Sequence, residues 1–374
     1  MMRCAVAGLG IGLAHVAGYI KSPDARLVAV ADSWEPRRSL VGGTFLQGSM
    51  KVLEPLFDER TKASRWSDLG VEVHEDISSL AARKDIDLVS ICTPAYLHEK
   101  HALMMLESGK HIILEKPVAL SLEAAGNISE LAHKKGLSVA VAYEFRENPS
   151  IIALKSLIDA GEFGEIDAWS LYHTRTPFRR DKWNSWIQKR EYCGGLLTEE
   201  TSHWFDLLCH LSGDDISSVF CLGSASVHPD FDYEDIAFCQ GTMKKGAVWQ
   251  LSHALTSYDF SFAIEVHGTR RMGRLALKEG SYSSFDAGSS KHWGILSHGP
   301  VNGKPEDARI VQWSSEAGEP QNIRDNVARV VDCLSKKRQL PVRIEDAVRA
   351  LSISLAARRS MEQRRLISLE PGEL

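Results

Sequence analysis

Residues 3–15 read RCAVAGLGIGLAH, and this stretch decides the fold. A short apolar run reaches a glycine-rich turn and passes straight into a helical pattern that continues to about Lys21. Glycine in such a turn lets the backbone approach a pyrophosphate, whose charge then meets the amino end of the following helix. The strict fingerprint is G-x-G-x-x-G; Gly8 and Gly10 fit it, with Leu9 and Ile11 between and after them, but the third position is Leu13 and Gly12 stands one residue early. A glycine-rich turn alone often serves only tight strand–helix packing. The context strengthens the reading, because Asp32, with Ser33 beside it, ends the next apolar run, RLVAVAD (26–32). An acid there accepts hydrogen bonds from ribose hydroxyls and repels a 2′-phosphate. NAD is therefore the expected cofactor and NADP the alternative, since Arg37 and Arg38 close behind are able to receive that phosphate.

Outward from this stretch the first half alternates strand and helix. IDLVSICTP (86–94), HIILEKP (111–117) and LSVAVAY (137–143) read as further buried strands, each of the first two followed by a helical pattern. Ser121 is placed as an N-cap and Gly136 as a C-terminal stop. Apolar strands alternating with helices predict an α/β doubly wound parallel sheet covered on both faces. Residues 42–70 break the rhythm and read as an insertion or a functional loop. After about residue 147 the pattern changes to strand-like runs separated by turn residues, from IDAWSLYHTR (166–175) to MGRLALKEG (272–280). A helix is expected at 149–160, one at about 322–336 and a long one at about 344–364, while a Gly/Ser-rich piece near 279–303 reads as a loop. The expectation is an α+β C-terminal domain built on a large, mostly antiparallel sheet. The expected boundaries are 1–146 for the dinucleotide domain and 147–374 for a substrate-binding and oligomerisation domain, whose last helix is free to pack back on the first.

Composition narrows the partners. The chain has 374 residues, 44% hydrophobic and 25% charged, with a net charge of −5. Nothing in that balance points to nucleic acid or an acidic membrane. Seven cysteines, odd in number, widely spaced and without a C-x-x-C pair, argue against a disulfide framework and fit a reducing cytoplasm. No secretory signal and no run of about eighteen apolar residues is found. His98 and His101 are three apart with no third ligand evident, so no metal is expected.

In an open parallel sheet ligands sit beyond the carboxyl ends of the strands. Thr93 and Pro94, and Glu115, Lys116 and Pro117, occupy two such ends. Pro117 disfavours a helical conformation at Lys116. An ammonium there can polarise a substrate hydroxyl and stabilise the alkoxide that develops as hydride leaves. A helix-entry turn with a solvent-facing ion pair explains the same residues equally well.

The set GLGIG, Asp32, CTPAYLH (92–98), LEKP (114–117) and GGLLTEETSHWFDLL (194–208) resembles the glucose–fructose oxidoreductase and inositol dehydrogenase family over nearly the whole chain. The resemblance implies a Rossmann domain, an open-faced C-terminal sheet, and hydride transfer between a sugar or cyclitol hydroxyl and a nicotinamide. It implies that Lys116 positions and polarises the hydroxyl, that His203 is the acid/base group, and that Glu199 orients it. A spacing of four puts Glu199 and His203 on one face if the segment is helical there. The family's usual D-x-G-x-H appears here as E-E-T-S-H (199–203), and Glu144 stands where an amide is usual. His98 and Glu144 join the implied cofactor-binding set. Arg146, Trp183, Trp186 and Arg179 are candidates for the substrate wall. A homodimer or homotetramer through the C-terminal sheet is expected. Two rival readings stand beside the dehydrogenase: an NAD-retaining enzyme that cleaves glycosides by transient oxidation and elimination, and a non-catalytic protein that senses a dinucleotide or sugar.

Overall fold

The structure, a computed structural model, describes residues 1–39, 41, 53–176, 183–256, 260–277, 294–313 and 318–369, without the side chains of 183–185 and 305. Arg179, the side chain of Trp183, residues 42–52 of the irregular segment and residues 278–293 lie outside the described residues.

Six parallel strands form the first sheet: β1 (Met2–Ala7), β2 (Ala25–Ala31), β3 (Glu72–His74), β4 (Leu88–Ile91), β5 (His111–Leu114) and β6 (Val139–Val141), in the order β3-β2-β1-β4-β5-β6. β1 and β4 are buried almost throughout, as both faces of a helix-covered sheet require. The topology reverses direction beside β1, so the turns after β1 and β4 lie next to each other. Ser121 caps the helix Leu122–Lys135, its hydroxyl accepting from Ala124 N at 3.1 Å, and Gly136 ends it in the left-handed conformation at φ 64°.

β3 was not expected. Its three residues are exposed or half-buried, so no apolar face marks it in the sequence. The compact unit containing this sheet comprises Met1–Glu144 together with Glu319–Val348. The helix Glu319–Ser335 reaches it by packing on the helix Gly12–Lys21. A Cβ on Gly18 would stand 2.6 Å from Val327 Cβ, so only glycine allows that approach. Residues 319–348 thus belong in space with the first sheet, although a boundary after residue 146 groups them with the second.

The second unit comprises Phe145–Gly318 and Arg349–Leu374. Its nine strands are β7 (Ile166–Thr174), β8 (Ser218–Ser224), β9 (Ile236–Thr242), β10 (Val248–Ala254), β11 (Ser261–Gly268), β12 (Arg271–Leu277), β13 (Gly294–Pro300), β14 (Arg309–Trp313) and β15 (Ile367–Ser368). They run β14-β13-β12-β11-β7-β10-β9-β8-β15, antiparallel except for the pair β7–β10. One face carries Trp169, Leu171, Trp249, Leu251, Phe262 and Ile264 into a core shared with the helix Thr201–Ser212. β13 falls in a stretch expected to be loop, and that expectation is corrected. Its period-two burial is present, but the inward slots hold Gly294, Leu296 and His298, too weak an apolar alternation to read as a strand.

All seven cysteines are free, and six are buried. Burial pushes the thiols of Cys4, Cys193 and Cys209 up to about 12, which makes them inert. Among the described residues no helix is long and apolar enough to cross a membrane.

Candidate active site

Gly8 follows β1 with φ 88°, and a Cβ there would lie 2.4 Å from Cys92 O, beyond the end of β4. The position tolerates only glycine because the two strand-end turns touch. A Cβ on Gly12 would meet Val6 Cγ1 at 2.8 Å and Cys92 Cβ at 3.2 Å. Gly12 therefore does the close-packing work usually given to the third glycine, one residue earlier in the chain. Gly10 differs: a Cβ there would meet only the Arg37 guanidinium, 3.5 Å away, so the backbone is open to an approaching ligand.

Asp32 is buried at the end of β2. Oδ2 accepts from Leu9 N at 2.6 Å and Oδ1 from Trp34 N at 2.8 Å, which fixes the carboxylate against the glycine turn. The Arg37 guanidinium lies 3.5 Å from Oδ2 and stacks over the Trp34 ring at 5.0 Å. Arg38 donates to the carbonyls of Asp32 and exposed Ser33. An open glycine backbone beside a fixed acid fits a dinucleotide with a free ribose diol. Arg37 adds a positive group at the same place.

Beyond β4, Thr93 Oγ1 is 3.0 Å from His101 Nδ1, and Pro94 precedes a single 3₁₀ turn, Ala95–Leu97. His98 is fully enclosed, with Nδ1 2.7 Å from Pro117 O and Nε2 2.8 Å from Thr93 O. Burial lowers its pKa against the opposing pull of the two carbonyls. His98 therefore braces the turns after β4 and β5. Beyond β5 the chain continues as Glu115-Lys116 into a cis peptide at Pro117. Glu115 is buried. Its Oε1 is 3.0 Å from His15 Nε2 and its Oε2 accepts from Lys116 N at 3.2 Å. Desolvation works to raise the Glu115 pKa, but the hydrogen bond and charge of His15, with Lys116, hold it below the usual value. Lys116 is half-buried at this strand end.

Glu144 follows β6. Burial first, then the nearby carboxylates of Glu319 and Glu115, push its pKa well above the ordinary range, against a smaller opposite pull from Lys116. A protonated carboxyl offers one acceptor and one O–H donor, the same pair an amide offers. That is a physical reason for an acid to occupy an amide's position.

In the second unit, Gly194 and Gly195 adopt φ 88° and 79° and lead into a short helix, Leu196–Glu199. The longer helix Thr201–Ser212 starts after Glu200, which lies at φ −113°. Glu199 and His203 thus belong to two helices, and the one-face argument for a single helix does not apply. Both are buried, at 5% and 4% exposure, and the His203 ring packs edge-on to Phe145 at 5.5 Å. Arg146 forms a two-pronged ion pair with Asp206, Nε to Oδ2 at 2.8 Å and Nη2 to Oδ1 at 2.5 Å, so its guanidinium is engaged by the long helix. Trp186 is half-buried beside the core.

Sequence reading missed His15, Ser90 and Tyr19. Behind Glu115 they form a buried chain, with His15 Nδ1 2.9 Å from Ser90 Oγ and Tyr19 Oη 2.6 Å from the same oxygen. The available signal was a histidine in a helix whose other buried residues are Gly, Ala, Leu, Val and Tyr.

A parallel sheet with a glycine turn and an acid at adjacent strand ends, joined to a large mixed sheet, defines a Rossmann-type two-domain chain. The chain belongs to the Gfo/Idh/MocA oxidoreductase family: residues 2–143 match its NAD-binding Rossmann fold and residues 155–369 its C-terminal alpha/beta domain. It is an oxidoreductase with an NAD-binding domain. It is 30% identical over 299 residues to scyllo-inositol 2-dehydrogenase (NAD(+)) of Bacillus subtilis, covering 76% of this chain and 79% of that one. It is 24% identical to inositol 2-dehydrogenase of Rhizobium meliloti, covering 98% and 99%. The fold also matches the crystal structure of scyllo-inositol dehydrogenase from Lactobacillus casei with NAD(H) and scyllo-inositol, with a TM-score of 0.72 and 19% identity, covering 98% and 99%.

Proposed function

We propose that the protein is a dehydrogenase or reductase acting on a hydroxyl-bearing carbon of a sugar, cyclitol or glycoside, with NAD preferred over NADP. The observation that carries this reading is Lys116, half-buried at the end of β5 and backed by a buried carboxylate that its own backbone N–H contacts. The relatives named for inositol oxidation support the substrate class.

The turn Gly8-Leu9-Gly10-Ile11-Gly12 receives the pyrophosphate on its open backbone, and Asp32 with Ser33 receives the adenosine ribose. Thr93 and Pro94, braced by His98, line the nicotinamide side with Glu115, Lys116 and Glu144. When bound, the nicotinamide takes up or returns the hydride. Lys116 donates to the substrate oxygen and stabilises negative charge on it as the C–H bond breaks. His203 takes the hydroxyl proton in oxidation and returns it in reduction. Glu199 orients that imidazole. Arg146 acts through Asp206, steadying the helix that carries His203.

The test is a panel of inositols, sugars and glycosides assayed for NADH formation, with Lys116→Ala and His203→Ala beside the wild type. Each variant is expected to lose about a hundredfold or more in kcat while still binding NAD. Equal turnover by wild type and Lys116→Ala on every substrate consumed overturns the assignment. Glycoside cleavage without net NADH replaces dehydrogenation by oxidation–elimination.

A further inference from the structure

The parallel pair β7–β10 places His173 directly beside His253 on the buried face of the second sheet, their ring centroids 4.6 Å apart. Glu200, in the break between the two short-range helices, brings its carboxylate to the same point, and one ligand atom from each residue lies within 4.8 Å of the other two. His173, His253 and Glu200 are 1%, 0% and 6% exposed.

The outer hydrogen bonds set up the inner nitrogens. His173 Nδ1 lies 3.2 Å from Ser261 O, a pure acceptor, so Nδ1 carries the proton and Nε2 is left with its lone pair. That Nε2 is buried with no hydrogen-bond partner among the described residues. His253 Nδ1 is 2.8 Å from Thr201 Oγ1, and the Thr201 hydroxyl donates to Leu196 O at 3.1 Å. The hydroxyl therefore accepts from Nδ1–H, and Nε2 of His253 is again the basic nitrogen. Arg175 holds one oxygen of Glu200, Oε1. The His173 imidazole, with Nδ1–H anchored and Nε2 open, beside a carboxylate steadied from behind, matches the way metal ligands are oriented by their outer partners.

We propose that His173, His253 and Glu200 bind a divalent cation of the zinc type. Two imidazoles and one carboxylate suit zinc, with a fourth position for water. Donors of a four-coordinate zinc lie about 3.3 Å apart, so binding draws the three groups in by up to about 1.5 Å. Trp204 and Phe260 pack against the His173 ring at 4.6 and 4.9 Å and wall the site from solvent. The ion is therefore structural: it ties β7 and β10 to the chain between the helices Leu196–Glu199 and Thr201–Ser212. Glu199 and His203 flank that tie, so the ion fixes the segment assigned above to proton transfer. That consequence rests on the proposed function; the site itself does not.

The full-length chain is incubated with zinc, passed over a chelating resin, and assayed for metal by mass spectrometry. The expected result is about one ion per chain, falling about tenfold or more in affinity in Glu200→Gln and lost in His173→Ala/His253→Ala. Cobalt substituted for zinc gives d–d absorption without a thiolate charge-transfer band. Zinc raises the thermal midpoint of the wild type but not of Glu200→Gln, which keeps the side-chain shape and decides the matter if the double variant does not fold. A folded wild type that retains no ion overturns the proposal. Equal retention by wild type and Glu200→Gln, or a thiolate band from one of the cysteines, also overturns it. Metal content is read without turnover, so failure of the catalytic assignment leaves this result standing, and the reverse holds too.

Discussion

His15 Nε2 lies 3.0 Å from Glu115 Oε1, with the imidazole fully buried and the carboxylate nearly so. The pair joins the helix after the glycine turn to the strand end that presents Lys116. A buried carboxylate that loses its partner is costly, because desolvation is no longer offset. His15→Ala is expected to destabilise the protein by about 3 kcal/mol at neutral pH. The sign with pH follows from the lowered Glu115 pKa: its stabilising contribution is in place above the ordinary value of 4.5 and disappears as pH falls through the lower folded value. The penalty of the substitution should therefore shrink towards about pH 3. Urea midpoints for wild type and variant at the two pH values measure it, and a penalty that stays constant with pH removes the electrostatic account.

In the proposed reading Asp32 selects the cofactor. Both its oxygens already accept backbone N–H groups, so its charge is held in place rather than left mobile. Asp32→Ala is expected to weaken NAD binding about tenfold or more, the cost of hydrogen bonds to a charged acceptor. With the acid gone, the Arg37 guanidinium faces the ribose alone and NADP should bind better than NAD. Arg37→Ala should reverse that gain. Fluorescence titration with each dinucleotide gives the four affinities. A wild type that binds NADP more tightly would reverse the preference for NAD.

The glycine turn, Asp32 and the strand ends at Thr93 and Glu115 were legible because each is fixed by local chain geometry, and the alternating pattern made the parallel sheet equally plain. What escaped is built from residues distant in sequence. His15 meets Glu115 a hundred positions later, and the Glu144 pKa is raised first by burial and then by Glu319, far along the chain. The expectation that no metal is bound was read from short spacings such as His98 and His101. The residues of the ion site proposed above, His173, Glu200 and His253, sit on three elements and share no spacing a motif would reveal. β13 was missed for another reason: glycine and histidine in its inward slots hide the alternation that normally marks a strand.

Glu144 gives the opposite pH dependence from Glu115. Its folded pKa is raised above the ordinary 4.5, so its contribution is fully present below that value and is lost as pH rises through the folded one. Burial and the neighbouring carboxylates act on the charged form only. Glu144→Gln keeps the amide-like shape and cannot ionise. Its thermal midpoint is expected to exceed the wild-type value by a few degrees in mildly alkaline buffer, and the difference should vanish near pH 4.5. Calorimetry across that range checks it, and parallel curves for the two proteins contradict it.

The outward face of the second sheet carries a largely apolar row, interrupted by Ser252. Register places Leu222, Phe238, Ser252, Tyr172 and Ala263 side by side across five neighbouring strands. Leu222 is 52% exposed, Phe238 59% and Tyr172 49%. A contiguous apolar patch on a sheet face is seldom left in water, and a second copy of the same face is the simplest self-complementary cover. A homodimer or homotetramer through this sheet is the expected assembly. Phe238→Glu puts a charge within the row, where burial in an interface leaves it unpaired. Sedimentation velocity is expected to give an assembled wild type and a monomeric variant with unchanged far-ultraviolet circular dichroism. A wild type that sediments as a monomer, or a variant that assembles as the wild type does, moves the interface elsewhere. The core on the opposite face is untouched by the substitution, so loss of assembly without loss of fold separates a docking role for the row from a structural one.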